Sequence, residues 1–176
     1  MSGAGRIVSR VSRRSVQIGT SALVALCLFA GCAGLNSQTY AFATLDEARQ
    51  AGAISSGWIP EGLPASSHDI RVAQLPGTPQ HWGIINFARS DEGSLRALLQ
   101  PGEVSLTGER CEMPGRIEWW PVILRGELDG NRLAATGLHG YRATSGHRLF
   151  AVNWDQGRAY YWGGSRARCD VPGATC

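Results

Sequence analysis

The sequence predicts an α+β domain, in which a small antiparallel β-sheet with hairpins carries two short helices packed on one face. Three observations favour this class. A length of 176 residues suits one domain preceded by a leader. Helix-capping patterns occur twice, and pairs of apolar segments are joined by tight turns. Short helices beside hairpin-linked strands are typical of an antiparallel sheet that has its helices on one side.

Residues 1–31 have the three parts of a secretory signal. A basic segment ends at Arg14, an apolar segment covers about residues 16–30, and small residues follow. About fifteen apolar residues are too few to span a bilayer comfortably as a permanent helix. The segment LFAGC, residues 28–32, resembles the lipobox of bacterial lipoproteins, which implies cleavage after Gly31 and a lipid on Cys32. An ordinary cleaved signal and an uncleaved anchor are the alternatives.

Residues 32–42 are predicted to form a lipidated tether ahead of a single globular domain, residues 43–176. More than one acyl chain gives firm membrane attachment, so the lipid is expected to anchor the protein. Ala33 stands where some lipoproteins carry the aspartate that retains them at the inner membrane. This implies the outer membrane, facing the periplasm, if the source has two membranes. Arg13 and Arg14 leave open whether export follows the general secretion route or the twin-arginine route.

The mature chain is close to neutral, and its charge gives no indication of a nucleic-acid partner. The formal net charge of the whole chain is +3. Four of the 17 arginines precede every acidic residue, which leaves 13 against 14 Asp and Glu side chains. The remaining arginines form no run that would follow a phosphate backbone. We therefore expect no nucleic-acid partner.

Three cysteines are expected in the folded part: Cys111, Cys169 and Cys176. An oxidising compartment favours a disulfide, and the odd number leaves one thiol over. Cys169 and Cys176 can close a short loop around a Pro-Gly turn. A bridge from Cys111 to either of them would close about sixty residues and stabilise the fold by roughly 4 kcal/mol on the chain-entropy model. We favour this longer bridge, and the short loop stays open as the alternative.

Two helices are predicted from their first residues. Thr44 and Glu47 have the spacing of a capping box, in which the threonine oxygen meets the Glu47 amide and the glutamate reaches back to the Thr44 amide. Asp91 is expected to cap a second helix over residues 92–99, which ends at a Pro-Gly pair.

Strands and hairpins follow from alternating apolar residues and turn signals. Strands are predicted over residues 69–74 and 81–87. Hairpins are predicted over residues 127–133, where an Asp-Gly pair forms the turn, and over residues 149–162, where Asp-Gln-Gly does.

No catalytic residue, metal site or cofactor is predicted. Glu118, beside two tryptophans, lacks an assignable second carboxylate for glycoside cleavage. His139 and His147 flank a loop that would bring them together, but two histidines are weak evidence for a metal site, and exposed loop positions are the favoured interpretation. No nucleophile elbow, phosphate loop or dinucleotide fingerprint occurs in the sequence.

The tryptophans allow two interpretations. Flat rings stack on sugars and on Pro-rich peptides, so Trp58, Trp119 and Trp120 form a possible partner surface. Large aromatic side chains also fill small cores, and core packing is the favoured interpretation for Trp58, Trp82, Trp120 and Trp162.

Residues 57–70, GWIPEGLPASSHDI, are predicted to form a rigid corner laid over the core, between the first helix and the first predicted strand, with a partner surface as the alternative. Each proline fixes its own φ and keeps the preceding residue extended. The pattern Gly-Trp-Ile-Pro, Leu-Pro, Ser and Asp-Ile in this corner, followed by Trp82 and Phe87, resembles a family of small bacterial proteins that includes the YbbD head domain. Many of these are lipoproteins. Trp119-Trp120-Pro121 and residues 157–162 are similar to later features of the family. The resemblance implies a fold and an envelope location, and it carries over no catalytic residue.

We therefore expect a lipid-anchored cell-envelope protein that acts as a non-catalytic binding or structural module facing the periplasm. Its expected partners are the membrane, through the lipid, and an envelope protein or glycan. The alternative is an envelope hydrolase that acts on glycan or peptide through Glu118, His139 or His147.

Overall fold

The computed structural model describes residues 37–113 and 117–164, and it confirms the α+β class. The predicted signal, Cys32, Cys169 and Cys176 lie outside the described residues. Two 3-10 turns, Arg89–Asp91 and Val122–Leu124, precede α2 and β5. In chain order the other elements are β1 (Gln38–Thr44), α1 (Leu45–Gln50), β2 (His68–Gln74), β3 (His81–Asn86), α2 (Glu92–Ala97), β4 (Arg110–Cys111), β5 (Gly126–Glu127), α3 (Gly130–Ala135), β6 (His139–Arg142), β7 (Leu149–Asn153) and β8 (Arg158–Gly163).

The main sheet is antiparallel and has the strand order β1-β2-β3-β8-β7-β6. Strands β1–β3 and strands β6–β8 each form a meander, and the two meanders meet where β3 pairs with β8. The smaller sheet pairs β4 with β5. The predicted strands over residues 69–74 and 81–87 and the hairpin over residues 149–162 are confirmed.

Both faces of the main sheet are covered, and the two predicted helices pack on one of them, as predicted. Helices α1 and α2 pack on the first face, against alternate strand residues such as Val72 and Phe150. Residues 104–113 and 117–138 pack on the second face against residues such as Ala151 and Trp162. They include a third helix, α3, whose Leu133 is buried in this second core. Strand β7 is buried at every position, and such strands need cover on both faces.

Strand β1 begins inside the predicted tether, so the folded part starts before residue 43. Phe42 is buried in the first core, and Tyr40 packs against that core. Thr39 and Ala41 alternate with them and are exposed. Buried and exposed residues alternate along the strand, as they do in a half-buried edge strand. Its small residues, however, give it the composition of a linker, which is why the sequence predicted a tether here.

The first helix begins at the predicted capping box, with one difference. The Thr44 hydroxyl oxygen accepts a hydrogen bond from the Glu47 amide at 3.3 Å. The Glu47 carboxylate accepts from the Ala43 amide at 2.6 Å, one residue earlier than predicted. Both contacts satisfy amides that lack partners within or beside the first turn.

The predicted hairpin over residues 127–133 is wrong, because Asp129 begins α3. One Asp129 carboxylate oxygen accepts from the amides of Asn131 and Arg132 at 3.0 and 3.2 Å. Glycine at position 130 is explained by close packing and not by a tight turn, because a Cβ there would lie 2.4 Å from the Thr107 hydroxyl oxygen. Leu128 and Leu133 are buried, and their burial favours a helix laid on the second face over an isolated two-stranded hairpin.

Candidate functional site

The corner, residues 57–70, packs over the first core as predicted. Ile59 and Leu63 are buried there. Gly57 has a φ of 74°, in the left-handed region that favours glycine. The amides of Trp58 and Ile59 both donate to the Ala53 carbonyl at 3.2 Å, which fixes the entry into the corner.

The far end of the corner is attached to the start of α2. The amide and hydroxyl of Ser66 donate to one oxygen of Asp91 at 3.2 and 3.0 Å, and the Ser94 hydroxyl donates to the other oxygen at 2.9 Å. These hydrogen bonds lower the pKa of Asp91, and the bond from the Ser66 amide has the largest effect. Asp91 is the N-cap position of α2, as predicted, but its carboxylate binds the corner and makes no cap hydrogen bond.

Two side chains from the sheet reach the first carbonyls of the corner. Arg148, at the start of β7, donates from Nη2 to the Gly57 carbonyl at 2.5 Å. Tyr161, from β8, donates its hydroxyl to the Trp58 carbonyl at 3.0 Å. The Tyr161 side chain is fully buried, and burial raises its pKa. The carbonyls of the corner are therefore held by the sheet itself.

Arg148 is fixed in turn by a buried histidine. Its Nε–H donates to His81 Nε2 at 2.9 Å, and His81 Nδ1 lies 2.8 Å from the Pro79 carbonyl oxygen. Because a carbonyl oxygen only accepts, Nδ1 carries the proton and Nε2 is free to accept from Arg148. Burial lowers the pKa of His81, and the Arg148 charge lowers it further, whereas the hydrogen bond to Pro79 acts in the opposite direction. His81 is therefore neutral at neutral pH.

Gly163 makes room for this pair. A Cβ at Gly163 would lie 2.9 Å from His81 Cε1 and 3.0 Å from Arg148 Cγ. Any larger residue would displace the imidazole, the guanidinium or both.

A cavity of about 240 Å³ lies between the corner, the end of α2 and the start of β7, and we call it the corner cavity. Apolar and polar groups share its walls about equally, and Arg148 is the one basic residue among those that line it. Burial lowers the pKa of Arg148, but an arginine stays charged at neutral pH. The lining residues are Ile54, Gly57, Ile59, Pro60, Glu61, Leu98, Ala143, Ser145, Arg148 and Phe150.

The predicted partner surface of Trp58, Trp119 and Trp120 is not one surface. Trp120 is 1% exposed, lies in the second core and donates its indole N–H to the Leu124 carbonyl at 2.9 Å. Its assignment to a partner surface is therefore wrong, and the core interpretation is confirmed. Trp58 is half-buried and stacks on Tyr40, with ring centroids 5.0 Å apart, against the first core. Trp119 is half-buried beside the second core.

The candidate chemical groups are dispersed. Cys111 is buried and forms no disulfide within the described residues, and its predicted disulfide partners lie outside them. Burial raises the pKa of the Cys111 thiol to about 12. His139 is hydrogen-bonded to the exposed Glu103 at 2.6 Å, and His147 is exposed. Glu118 is exposed. Within residues 37–113 and 117–164, no three His, Cys, Asp or Glu side chains are grouped as a metal ion would need.

No local pattern in the sequence marks Arg148, His81 and Tyr161 as a group. They belong to three different strand segments, and Arg148 is 67 residues from His81 and 91 residues from Gly57. One signal was present, because Arg148 directly precedes an apolar run that enters the core. Only the sheet pairing shows that this arginine meets the corner.

One family comparison addresses the first part of the domain. Residues 36–74 match the family model of the YbbD head domain. This confirms the resemblance drawn from the corner, and it supports an association of the protein with the cell envelope. The match includes β1, α1 and the corner and ends with β2, so it excludes Arg148 and His81. No curated protein and no solved structure matches the chain.

Among residues 37–113 and 117–164, no helix combines the length and the apolar composition that crossing a bilayer requires.

Proposed function

We propose that this protein is a lipid-anchored module of the cell envelope that faces the periplasm and binds a ligand, without catalysis, in the corner cavity. The observation that carries the proposal is the Arg148 guanidinium, which His81 and the corner hold in place beside a cavity that Ile59, Leu98 and Phe150 also line. Ligand sites in proteins are typically apolar concavities with a few fixed polar groups.

The arrangement of Arg148 favours binding over a purely structural role. A guanidinium that only stabilised the fold would gain most from a carboxylate partner, as Arg142 does with Glu109 at 2.8 Å. Arg148 forms no ion pair with the described residues, although it is half-buried. A half-buried charge without an ion-pair partner costs free energy, and a bound anion would offset part of that cost.

The anchoring part of the proposal rests on the resemblance of residues 28–32 to a lipobox and on the envelope association of the YbbD head match. Cys32→Ala tests it directly. We expect the wild-type protein to sediment with membranes and to incorporate labelled palmitate, and the variant to lose both properties. Retention of the variant in the membrane fraction would contradict anchoring through Cys32.

The binding part is tested by photo-crosslinking in intact cells. A photoreactive amino acid is placed at Ser145, an exposed residue that lines the cavity, and in a separate strain at Arg132. Arg132 is the matched control because it is exposed on α3, which packs on the opposite face. We expect crosslinked adducts from Ser145 only. Equal yields at both positions, or none at Ser145, would contradict a ligand site in the corner cavity.

A further inference from the structure

We infer that the corner cavity binds the free carboxylate end of a peptide, with the last side chain of that peptide in the apolar part of the cavity. This inference rests on the proposed function, in which the cavity is the ligand site. It follows from the free donors of Arg148, from the size and lining of the cavity, and from the charges around it.

The fold uses only part of the guanidinium of Arg148. Of its five N–H donors, the Nε–H goes to His81 and one Nη2–H goes to the Gly57 carbonyl. No other hydrogen bond from Arg148 to the described residues is formed, so both Nη1 donors and one Nη2 donor are free. Two N–H groups on neighbouring nitrogens match the two oxygens of a carboxylate. Because His81 occupies Nε, a carboxylate would bind across Nη1 and Nη2.

The size of the cavity limits what accompanies the carboxylate. A volume of about 240 Å³ lies below the ~300–1,000 Å³ of pockets that enclose drug-sized ligands. This is room for a carboxylate and one short side chain, which Leu98 and Phe150 would contact. The cavity therefore suits the end of a chain whose remainder lies outside.

The charges favour a single negative charge on the ligand. Glu61 lines the same cavity as Arg148, and the two are not paired with each other. A phosphate dianion would face one arginine and the repulsion of Glu61, whereas a carboxylate carries only one charge. The Glu61 carboxylate can also accept a hydrogen bond from a peptide N–H, which a peptide end supplies and a simple fatty acid does not.

The test uses the lipidated full-length protein in detergent micelles and three acetylated dipeptides that end in Ala, Val or Leu. Each is compared with the same dipeptide ending in an amide, and inorganic phosphate is included as the other anion source. Binding is measured by isothermal titration calorimetry. We expect at least one acid to bind saturably and its amide to bind about 10- to 100-fold more weakly, the effect of losing a charge-assisted hydrogen-bonded pair.

Variants then locate the binding. Arg148→Gln should weaken binding of the acid by the same factor, and Arg132→Gln, which removes an exposed arginine elsewhere, should leave it unchanged. Thermal unfolding of each variant shows whether it is folded, and the acid-against-amide comparison needs no variant at all. Equal binding of acid and amide, saturable binding of phosphate alone, binding that survives Arg148→Gln, or no binding of any acid would overturn the inference.

The two proposals fail separately. If crosslinks form at Ser145 in cells but no dipeptide acid is preferred over its amide, the corner cavity binds ligands of another chemistry and only the carboxylate inference is overturned. If crosslinks are absent as well, the proposed function fails with it.

Discussion

The hydrogen bond from Tyr161 to the corner allows a quantitative test of how the corner is held. Tyr161→Phe keeps the ring, which is fully buried, and removes the hydroxyl that donates to the Trp58 carbonyl at 3.0 Å. That carbonyl accepts no other hydrogen bond from the described residues. A hydrogen bond contributes about 1 kcal/mol net, and an unpaired buried group costs about 1–3 kcal/mol. We expect the free energy of unfolding to fall by about 1–2 kcal/mol.

The assay is urea unfolding monitored by tryptophan fluorescence, with the midpoint and the slope fitted separately. Tyr160→Phe is the matched control, because the neighbouring Tyr160 points to the second face and its hydroxyl has no hydrogen bond to the described residues. We expect the control to change the free energy of unfolding by less than about 0.5 kcal/mol. If both variants lose the same stability, the hydroxyl does not hold the corner and the reasoning is refuted.

Three further predictions concern other parts of the structure. Gly163→Ala should weaken ligand binding and lower the melting temperature, since the new Cβ would displace the side chains of His81 and Arg148. An unchanged melting temperature in calorimetry would contradict the close packing of Gly163 against these two side chains. Stability should decrease as the pH falls below about 6.5, by up to about 1.4 kcal/mol per pH unit. Burial, together with the charge of Arg148, lowers the pKa of His81 in the folded state, so the unfolded state takes up this proton at a higher pH. Urea unfolding measured from pH 8 to 5 should show a smaller dependence of the free energy of unfolding on pH in His81→Gln than in the wild-type protein. An equal dependence in both proteins would refute the assignment of this effect to His81. Asp129→Ala should cost about 1 kcal/mol in urea unfolding through loss of the N-cap of α3, and no change would contradict that cap.

The sequence predicted those parts of the fold that depend on local signals. The capping residue Thr44 and the turn before Gly157 act over a few residues, and both were placed correctly. Gly157 has a φ of 60°, and a Cβ there would lie 2.2 Å from the Phe87 carbonyl oxygen, so glycine is required at that turn. The Asp129-Gly130 pair shows the limit of such signals. It is compatible with a tight turn and with a helix N-terminus, and burial of Leu133 selects the helix.

The second core and the corner cavity could not be predicted in the same way. The apolar run in β7 was consistent with burial on both faces, but nothing in the sequence identified residues 104–113 and 117–138 as the second cover. Arg148 and His81 meet only because β3 and β7 both pair with β8. A contact of this kind depends on the order of strands in the sheet, which local patterns do not specify.

The stretch at residues 57–70 illustrates the same division between local and long-range determinants. Its prolines and apolar residues predicted a corner over the core, and burial of Ile59 and Leu63 confirms this. Its role in lining a cavity depends on Arg148, which lies far along the chain. The corner is therefore both a structural element and one wall of the proposed site.

The most direct test of the account combines the Ser145 crosslinker with Arg148→Lys in the lipidated protein in cells. Lysine keeps the positive charge but cannot offer the paired donors of a guanidinium. We predict that the crosslinked adduct is lost while membrane attachment and cellular abundance stay unchanged. An adduct that persists at its wild-type yield in Arg148→Lys would contradict the claim that the corner cavity binds its ligand through Arg148.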